Sequence, residues 1–127
     1  MDKYLKTLKR VKNFSVEREW DKFHTPKNVA ISVSLEANEL LELFQWENDE
    51  SVEKKLKEDP EYLQDMKDEI ADVANYLMVL CDRIGVDLLD IVNEKLEKNI
   101  EKYPVEKCKG KADKYTAYQE MKIEYKK

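Results

Sequence analysis

The sequence predicts an all-α fold, a bundle of about four main helices that is completed when identical chains associate. The chain has 127 residues, which fits a single domain with a small core. It contains only 2 glycines and 3 prolines, too few for a turn-rich β protein, and helix-forming residues dominate. Since a core of this size is often completed by association, we expect a homodimer or a homotetramer.

The first helix is predicted from apolar residues that recur at helical spacing near the start of the chain. These residues are Leu5, Leu8, Val11 and Phe14. The pattern extends through residues 16–24, so the helix is expected to continue as far as Thr25 and Pro26. Thr25 suits an N-cap and Pro26 suits the first helical position, so a second helix is predicted over residues 27–46.

The third helix follows a polar loop at residues 48–51 and a short, exposed helical segment at residues 52–57. Asp59 and the proline after it start this helix, which continues to Ile84. Gly85 then supplies the left-handed residue that commonly ends a helix.

A fourth helix is predicted from Asp87, a suitable N-cap, to Tyr103, and it ends before Pro104. No internal repeat or low-complexity segment divides the chain. One domain is therefore expected over residues 1–118, followed by a short C-terminal tail at residues 119–127.

Charge and cysteine content exclude several classes of protein. The net charge of −5 and the pI of about 5.1 argue against a nucleic-acid-binding protein, which needs a basic surface. No apolar run approaches the length of a membrane span, and the first residues do not resemble a signal peptide. Cys81 and Cys108 lack metal-site spacing, and Cys81 lies in an apolar helix, as expected of a buried, reduced thiol. We expect a cytoplasmic protein without nucleic-acid or membrane partners.

Two acidic pairs lie inside predicted amphipathic helices: Glu36 with Glu39, and Glu69 with Asp72. A spacing of three residues places both members of a pair on one helical face. Carboxylates beside an apolar stripe are costly unless a cation satisfies them. If the two helices pack antiparallel, the four carboxylates converge on one small volume, which suits a hard divalent ion such as Mg²⁺.

The apolar stripes distinguish these acids from their neighbours. The stripes comprise Val33, Ala37, Leu40 and Phe44 on the second helix, and Met66, Ile70, Val73, Leu77, Leu80 and Ile84 on the third. Glu36 and Glu69 fall at the margins of these stripes, whereas Glu42 and Asp68 project elsewhere.

Two other interpretations compete with a magnesium site. In a chain with 40% charged residues, some acidic pairs at this spacing arise as ordinary surface charges. A di-iron site needs Glu-x-x-His pairs, but the only histidine, His24, is far from both acidic pairs in the sequence. Ligation by oxygen alone favours Mg²⁺, with Mn²⁺ as a substitute.

The fourth predicted helix gives an independent clue. Its inner face is marked by Leu88, Ile91, Val92, Leu96 and Tyr103. Lys95 and Asn99 lie near the middle of that face, one turn apart. Lys95 either extends outward along its aliphatic stem or binds an anion such as phosphate, to which Asn99 supplies hydrogen bonds. The sequence has no glycine-rich phosphate loop.

Aromatic residues form a further candidate site. Trp20, Phe23 and His24 cluster on one helical face, where they serve either as core residues or as a stacking platform for a nucleobase. Trp46 and Tyr76 are candidates for lining the same pocket.

Three segments together resemble a known enzyme family. Residues 35–46 and 68–73 read LEANELLELFQW and DEIADV, and residues 18–28 read REWDKFHTPKN. These segments resemble the E-x-x-E…E-x-x-D signature, and the stretch before it, of the MazG-like all-α nucleoside triphosphate pyrophosphohydrolases. The dCTP pyrophosphatase branch is the most similar. Later matches are Lys95, Asn99, Tyr103, Pro104, Lys114, Tyr115 and Thr116.

The resemblance covers about residues 1–118 and has two departures from the family pattern. Asn38 stands where the family often has glycine, which is expected to alter local helix packing slightly. Residues 47–62 carry no family motif, and substrate choice is expected to depend partly on them.

The resemblance implies hydrolysis of a nucleoside triphosphate between its α- and β-phosphates, which gives the monophosphate and pyrophosphate. It implies a bound Mg²⁺ and a general base among the residues that match the signature. These residues are Glu36, Glu39, Glu69 and Asp72. Which of the four carboxylates acts as the base is left open.

The resemblance also implies how the substrate is bound. Residues implied in the base and sugar pocket are Trp20, His24, Trp46 and Tyr76. Lys95 and Asn99 would contact the phosphates, and Lys95 would also stabilise charge in the transition state. A dimer or tetramer is implied, often with the pocket near a subunit interface.

Two functional hypotheses follow. The first is a Mg²⁺-dependent pyrophosphohydrolase acting on dCTP or a modified or related pyrimidine nucleotide, for nucleotide-pool control or house-cleaning. The second is a non-catalytic helical module, either a nucleotide sensor or an oligomeric interaction protein. The second explains the charge-rich helices equally well but does not explain inward-facing Glu69 and Lys95.

Overall fold

The computed structural model of the protein describes residues 2–110. Within these residues the regular structure is entirely helical, which confirms the predicted all-α fold. The elements are α1 (Lys3–Glu17), a 3-10 turn (Asp21–Phe23), α2 (Pro26–Glu42), α3 (Asp49–Glu58), α4 (Pro60–Ile84), α5 (Leu88–Lys102) and α6 (Val105–Cys108). The four main helices of the prediction correspond to α1, α2, α4 and α5.

Helix α1 ends earlier than its apolar pattern indicates. The Asp2 side chain caps its start by accepting a hydrogen bond of 2.8 Å from the Leu5 backbone N–H. The expected continuation through residues 16–24 is wrong, because Glu19 adopts a left-handed conformation with φ of 56°. The Trp20 N–H then bonds to the Ser15 carbonyl at 2.9 Å, which turns the chain out of the helical path.

Helix α2 begins as predicted. The Thr25 hydroxyl accepts a hydrogen bond of 3.2 Å from the Asn28 N–H, and Pro26 occupies the first helical position. The helix ends at Glu42, four residues before the predicted end at Trp46. The intervening residues form consecutive turns instead.

Helix α3 includes residues that the sequence pattern assigned to a loop. Asn48 is its N-cap, and the Asn48 side chain accepts a hydrogen bond of 2.8 Å from the Ser51 N–H. The Ser51 hydroxyl accepts a reciprocal bond from the Asn48 N–H, which completes a capping box. The polar residues predicted as a loop at 48–51 therefore form the N-cap and first turn of this helix.

Helix α4 has the predicted ends and runs antiparallel to α2. The Asp59 carboxylate accepts bonds from the first N–H groups, and Gly85 ends the helix with φ of 76°. Near one end the Tyr62 hydroxyl donates to the Leu43 carbonyl at 2.7 Å. Glu69 on α4 then meets Glu36 on α2, so residue numbers rise along α4 in the direction in which they fall along α2.

The fully buried core is small. Among residues 2–110, the buried apolar side chains are Val29, Tyr62 and Cys81. The apolar stripe predicted on α4 is only partly covered, with Ile70 exposed to 52% and Ile84 to 54%. Together with Leu63 and Leu77, these residues form an exposed row with one member every seventh position on α4.

The chain divides into two compact units, of which the first ends at Leu88 and the second begins at Leu89. In the second unit, α5 ends at Lys102, which confirms the predicted stop before Pro104. The predicted tail at residues 119–127 and the family match at residues 114–116 lie outside the described residues. No helix in the described part of the chain is both long and apolar enough to cross a membrane.

Candidate functional site

Three carboxylates from the two predicted acidic pairs meet between α2 and α4. Oxygen atoms of Glu36, Glu69 and Asp72 all lie within 4.8 Å of one another. Glu36 and Glu69 are half-buried, whereas Asp72 is exposed. The antiparallel packing of the two helices therefore brings both pairs to one place, as the spacing predicts.

Glu39 belongs to the same cluster through its interactions with the other carboxyl groups. Burial, followed by a hydrogen bond to Glu39 and the charges of Glu39 and the other acids, raises the pKa of Glu36 from 4.5 to about 7. Burial, followed by a hydrogen bond to Glu39, also raises the pKa of Glu69. Burial and the neighbouring carboxyl groups thus both disfavour a negative charge on Glu36 and Glu69, so the cluster favours a bound proton or cation.

The donor set of the cluster fits a hard divalent cation. Among the described residues, Glu36 Oε2 and Glu69 Oε2 are buried without a hydrogen-bond partner. A buried carboxylate oxygen without a donor is costly, and a metal ion would satisfy both oxygens at once. All the ligands are carboxylate oxygens, which suits ions such as Mg²⁺ or Mn²⁺.

A cavity of about 380 Å³ adjoins this cluster, and Asp72 is common to both. It lies between α1, the residues before α2, and α4. Three of the residues predicted for the base pocket line it: Trp20, His24 and Tyr76. Trp46 is outside this lining and is 87% exposed, so the single chain does not bring it to the cavity.

Aromatic contacts hold the cavity wall in place. The His24 and Tyr76 rings meet edge to face with centroids 6.5 Å apart, and the Phe14 and Trp20 rings do so at 5.6 Å. The Arg18 guanidinium lies 3.8 Å from the centre of the Phe14 ring. These contacts couple the end of α1 to the turn that carries Trp20.

One carboxamide fixes that turn to the start of α2. The Asn28 Nδ2 group donates a hydrogen bond of 3.1 Å to the Phe23 carbonyl. His24, the next residue, has a buried Nδ1 atom without a hydrogen-bond partner among residues 2–110. Asn28 holds the turn through the Phe23 backbone carbonyl and does not use the His24 side chain. His24 Nδ1 is therefore available to a ligand or a water molecule.

Seven residues that line the cavity are not among the predicted site residues: Thr7, Arg10, Val11, Phe14, Ser15, Asn75 and Val79. The pattern assigned Phe14 to the core face of the first helix, and it did not single out Arg10 or Asn75. For Asn75 a signal was present, because it lies three residues after Asp72 and therefore on the same helical face.

Lys95 and Asn99 lie one turn apart on α5, in the second compact unit. Lys95 is exposed and Asn99 is half-buried. Their predicted contacts with substrate phosphates stay predictions.

Trp46 lies in a turn, and the next residue, Glu47, contacts α3. The Glu47 carboxylate pairs with the Lys55 ammonium and accepts a hydrogen bond of 2.7 Å from the Ser51 hydroxyl. The hydrogen bond to Lys55, followed by that to Ser51, lowers the pKa of Glu47. The Lys55 ammonium also lies 5.3 Å from the centre of the Tyr62 ring. These contacts tie Glu47, the residue after Trp46, to α3, and tie α3 to α4.

A second cavity, of about 280 Å³, lies where α1 meets the end of α4. It is lined in part by Cys81, which is buried and free, as the sequence predicts. Burial, followed by the nearby charge of Asp87, raises the pKa of this thiol, so it is a poor nucleophile.

Comparison with known proteins agrees with this geometry. Residues 31–117 match the model of the MazG-like family. A protein named dCTP pyrophosphatase 1 from Rattus norvegicus is 38% identical over 103 residues, and its Homo sapiens counterpart is 35% identical over 103 residues. Each match covers 81% of this chain and 60% of the relative, so the chain spans about three fifths of the length of these curated relatives.

A solved structure extends the agreement to the fold. The crystal structure of a pyrophosphatase from Archaeoglobus fulgidus matches with a TM-score of 0.75 at 38% sequence identity. The match covers 82% of this chain and 94% of that chain. The resemblance inferred from the acidic signature is thus confirmed, and the chain belongs to the MazG-like family.

Proposed function

We propose that this protein hydrolyses a nucleoside triphosphate between its α- and β-phosphates and releases the monophosphate and pyrophosphate. The observation that carries the proposal is the carboxylate cluster beside the aromatic cavity, with two buried oxygens that lack donors. Membership of the MazG-like family and relatives named as pyrophosphatases support it.

The acidic cluster is the proposed centre of the chemistry. Glu36, Glu39, Glu69 and Asp72 would hold Mg²⁺, or Mn²⁺ as a substitute, and the bound ion would neutralise phosphate charge. One carboxylate of the cluster, with an oxygen that the metal does not bind, would take a proton from the attacking water. The water oxygen bonds to the α-phosphorus as the bond to the bridging oxygen breaks, and the electron pair leaves with pyrophosphate.

The aromatic cavity is the proposed place of the sugar and base. Trp20, His24 and Tyr76 each contribute an aromatic ring to its lining, which suits stacking on a nucleobase. The names of the curated relatives favour dCTP or a related pyrimidine nucleotide as substrate. Lys95 and Asn99 are proposed to contact the phosphates, as the family pattern implies.

Association of identical chains, as a homodimer or a homotetramer, belongs to the same proposal. The row of exposed apolar residues on α4, including Ile70 and Ile84, offers a face that a second copy would bury. Trp46 is exposed on a fixed turn, so a second copy could also receive its indole ring. The net charge of −5 supports the absence of a nucleic-acid partner.

Pyrophosphate release from a panel of nucleoside triphosphates tests the proposed function. The native chain with Mg²⁺ is expected to turn over at least one of them, and Glu69→Ala is expected to abolish turnover. Glu42→Ala is the matched control, since Glu42 is an exposed acid on α2 outside the cluster. Equal turnover by the native chain and Glu69→Ala would overturn the proposal.

The rival function is a non-catalytic module that senses nucleotides. The same cluster and cavity would then bind a nucleotide with Mg²⁺ but would release no pyrophosphate. Binding measured by calorimetry, without any product in the turnover assay, would decide for the sensor.

A further inference from the structure

Asn75 lines the aromatic cavity beside the acidic cluster. It lies on α4, three residues after Asp72 and directly before Tyr76. Side chains three residues apart on a helix are neighbours, with about 5 Å between their Cβ atoms. Asn75 is therefore one helical turn away from the carboxylate that the cavity shares with the cluster.

The distance along α4 indicates which part of a nucleotide Asn75 would meet. In the proposed function the α-phosphate lies near Asp72, and an α-helix advances about 4.5 Å over three residues. That step reaches the sugar, because the sugar is esterified directly to the α-phosphate. The base would extend further, toward Val79, which lines the same cavity two turns from Asp72.

The Asn75 carboxamide is available to a ligand. It is exposed, and it has no hydrogen-bond partner among residues 2–110. By contrast Thr7, which also lines the cavity, already donates its hydroxyl to the Lys3 carbonyl at 2.8 Å. A carboxamide offers both donors and an acceptor, which complements a hydroxyl that also donates and accepts.

We propose that Asn75 hydrogen-bonds the sugar 3′-hydroxyl of the nucleotide and so selects substrates that carry it. The inference rests on the proposed pyrophosphohydrolase function and adds a determinant for the sugar. In a 2′-deoxynucleoside triphosphate the 3′-hydroxyl is the only free hydroxyl of the sugar, so it is the group that a carboxamide at this position can read.

The test compares two substrates that differ only in this hydroxyl: a 2′-deoxynucleoside triphosphate and the 2′,3′-dideoxynucleoside triphosphate of the same base. With Mg²⁺, the native chain is expected to favour the deoxy substrate about tenfold in kcat/KM. Asn75→Leu keeps a similar volume but cannot hydrogen-bond. It is expected to lower kcat/KM for the deoxy substrate about tenfold and to leave the dideoxy substrate unchanged, so that the ratio falls to about one.

The matched control is Asn13→Leu, since Asn13 is an exposed carboxamide on α1 outside the cavity lining. It is expected to keep the native ratio. Melting followed by circular dichroism checks folding, and Asn75→Ala replaces Asn75→Leu if leucine prevents folding.

Two failures are distinguishable. If the native ratio is close to one, or if Asn75→Leu keeps a tenfold native ratio, the inference about Asn75 is overturned while hydrolysis stands. If the native chain releases pyrophosphate from no triphosphate, the proposed function is overturned and the inference with it.

Discussion

Lowering the pH from 8 to 6 is expected to weaken divalent-metal binding to the native chain about tenfold. The metal must displace the proton from Glu36, whose pKa is raised to about 7, first by burial and then by Glu39. At pH 6 the protonated form of Glu36 therefore exceeds the ionised form about tenfold, whereas at pH 8 the ionised form prevails by a similar factor. Since only the ionised form binds the metal, the apparent affinity follows its fraction.

Isothermal titration calorimetry with Mg²⁺ or Mn²⁺ measures this dependence directly. Repeating the titration at pH 6 in buffers of different ionisation enthalpy counts the protons released, and about one per metal ion is expected. Affinity that changes less than about twofold between pH 6 and pH 8, with no proton released, would refute the reasoning.

Two variants assign the effect to the acidic cluster. Glu39→Gln removes a charge that raises the pKa of Glu36, so the midpoint of the pH dependence is expected to move to lower pH. The midpoint is the informative quantity, because losing Glu39 also lowers the affinity itself. Glu42→Gln removes an exposed charge on the same helix and is expected to leave the midpoint unchanged.

Three further predictions concern stability and assembly. For the metal-free protein, the folded state binds the Glu36 proton more tightly than the unfolded state, so this group's contribution falls as the pH rises from about 4.5 to about 7. Urea unfolding across that range measures it, and Glu36→Gln should flatten the dependence; an unchanged slope would contradict the assignment. Gly85→Ala is expected to cost about 1 kcal/mol, because φ at Gly85 is 76° and a Cβ there would meet nothing within 4 Å, so the cost is conformational. A neutral result in urea unfolding would disprove this. Ile70→Glu places a charge in the exposed row on α4 and is expected to shift the chain toward monomer in analytical ultracentrifugation, whereas Lys67→Glu, an exposed position on the same helix, should not. Identical sedimentation of all three chains would exclude this face as the interface.

The parts of the fold that sequence predicts are those with a local chemical marker. Thr25 and Pro26 mark the start of α2, and Gly85 marks the end of α4, because each residue type satisfies a specific backbone requirement. The acidic cluster was also predictable, since spacing fixes the face and antiparallel packing brings the two pairs together.

The parts that sequence does not predict lack such a marker or depend on tertiary contacts. Glu19 adopts a left-handed conformation that glycine or asparagine usually signals, so the sequence does not predict the end of α1. Asn48 and Ser51 form a capping box without the usual acidic partner, so the polar residues around them have the composition of a loop. Phe14 lines the cavity and packs against Trp20, and no local sequence pattern encodes this tertiary contact.

Helix α4 carries both part of the acidic cluster and the row of exposed apolar residues. Its 25 residues span about 37 Å, and an α-helix of this length moves largely as a unit. Glu69 and Asp72 lie on one face of α4, and the exposed apolar row that includes Ile70 lies on another face. A partner bound to that row would therefore fix the rotation of α4 about its axis and, with it, the direction in which Glu69 and Asp72 point. If identical chains associate through that row, as proposed, the geometry of the acidic cluster depends on the assembly, and diluting the protein would loosen the cluster without altering a residue in it.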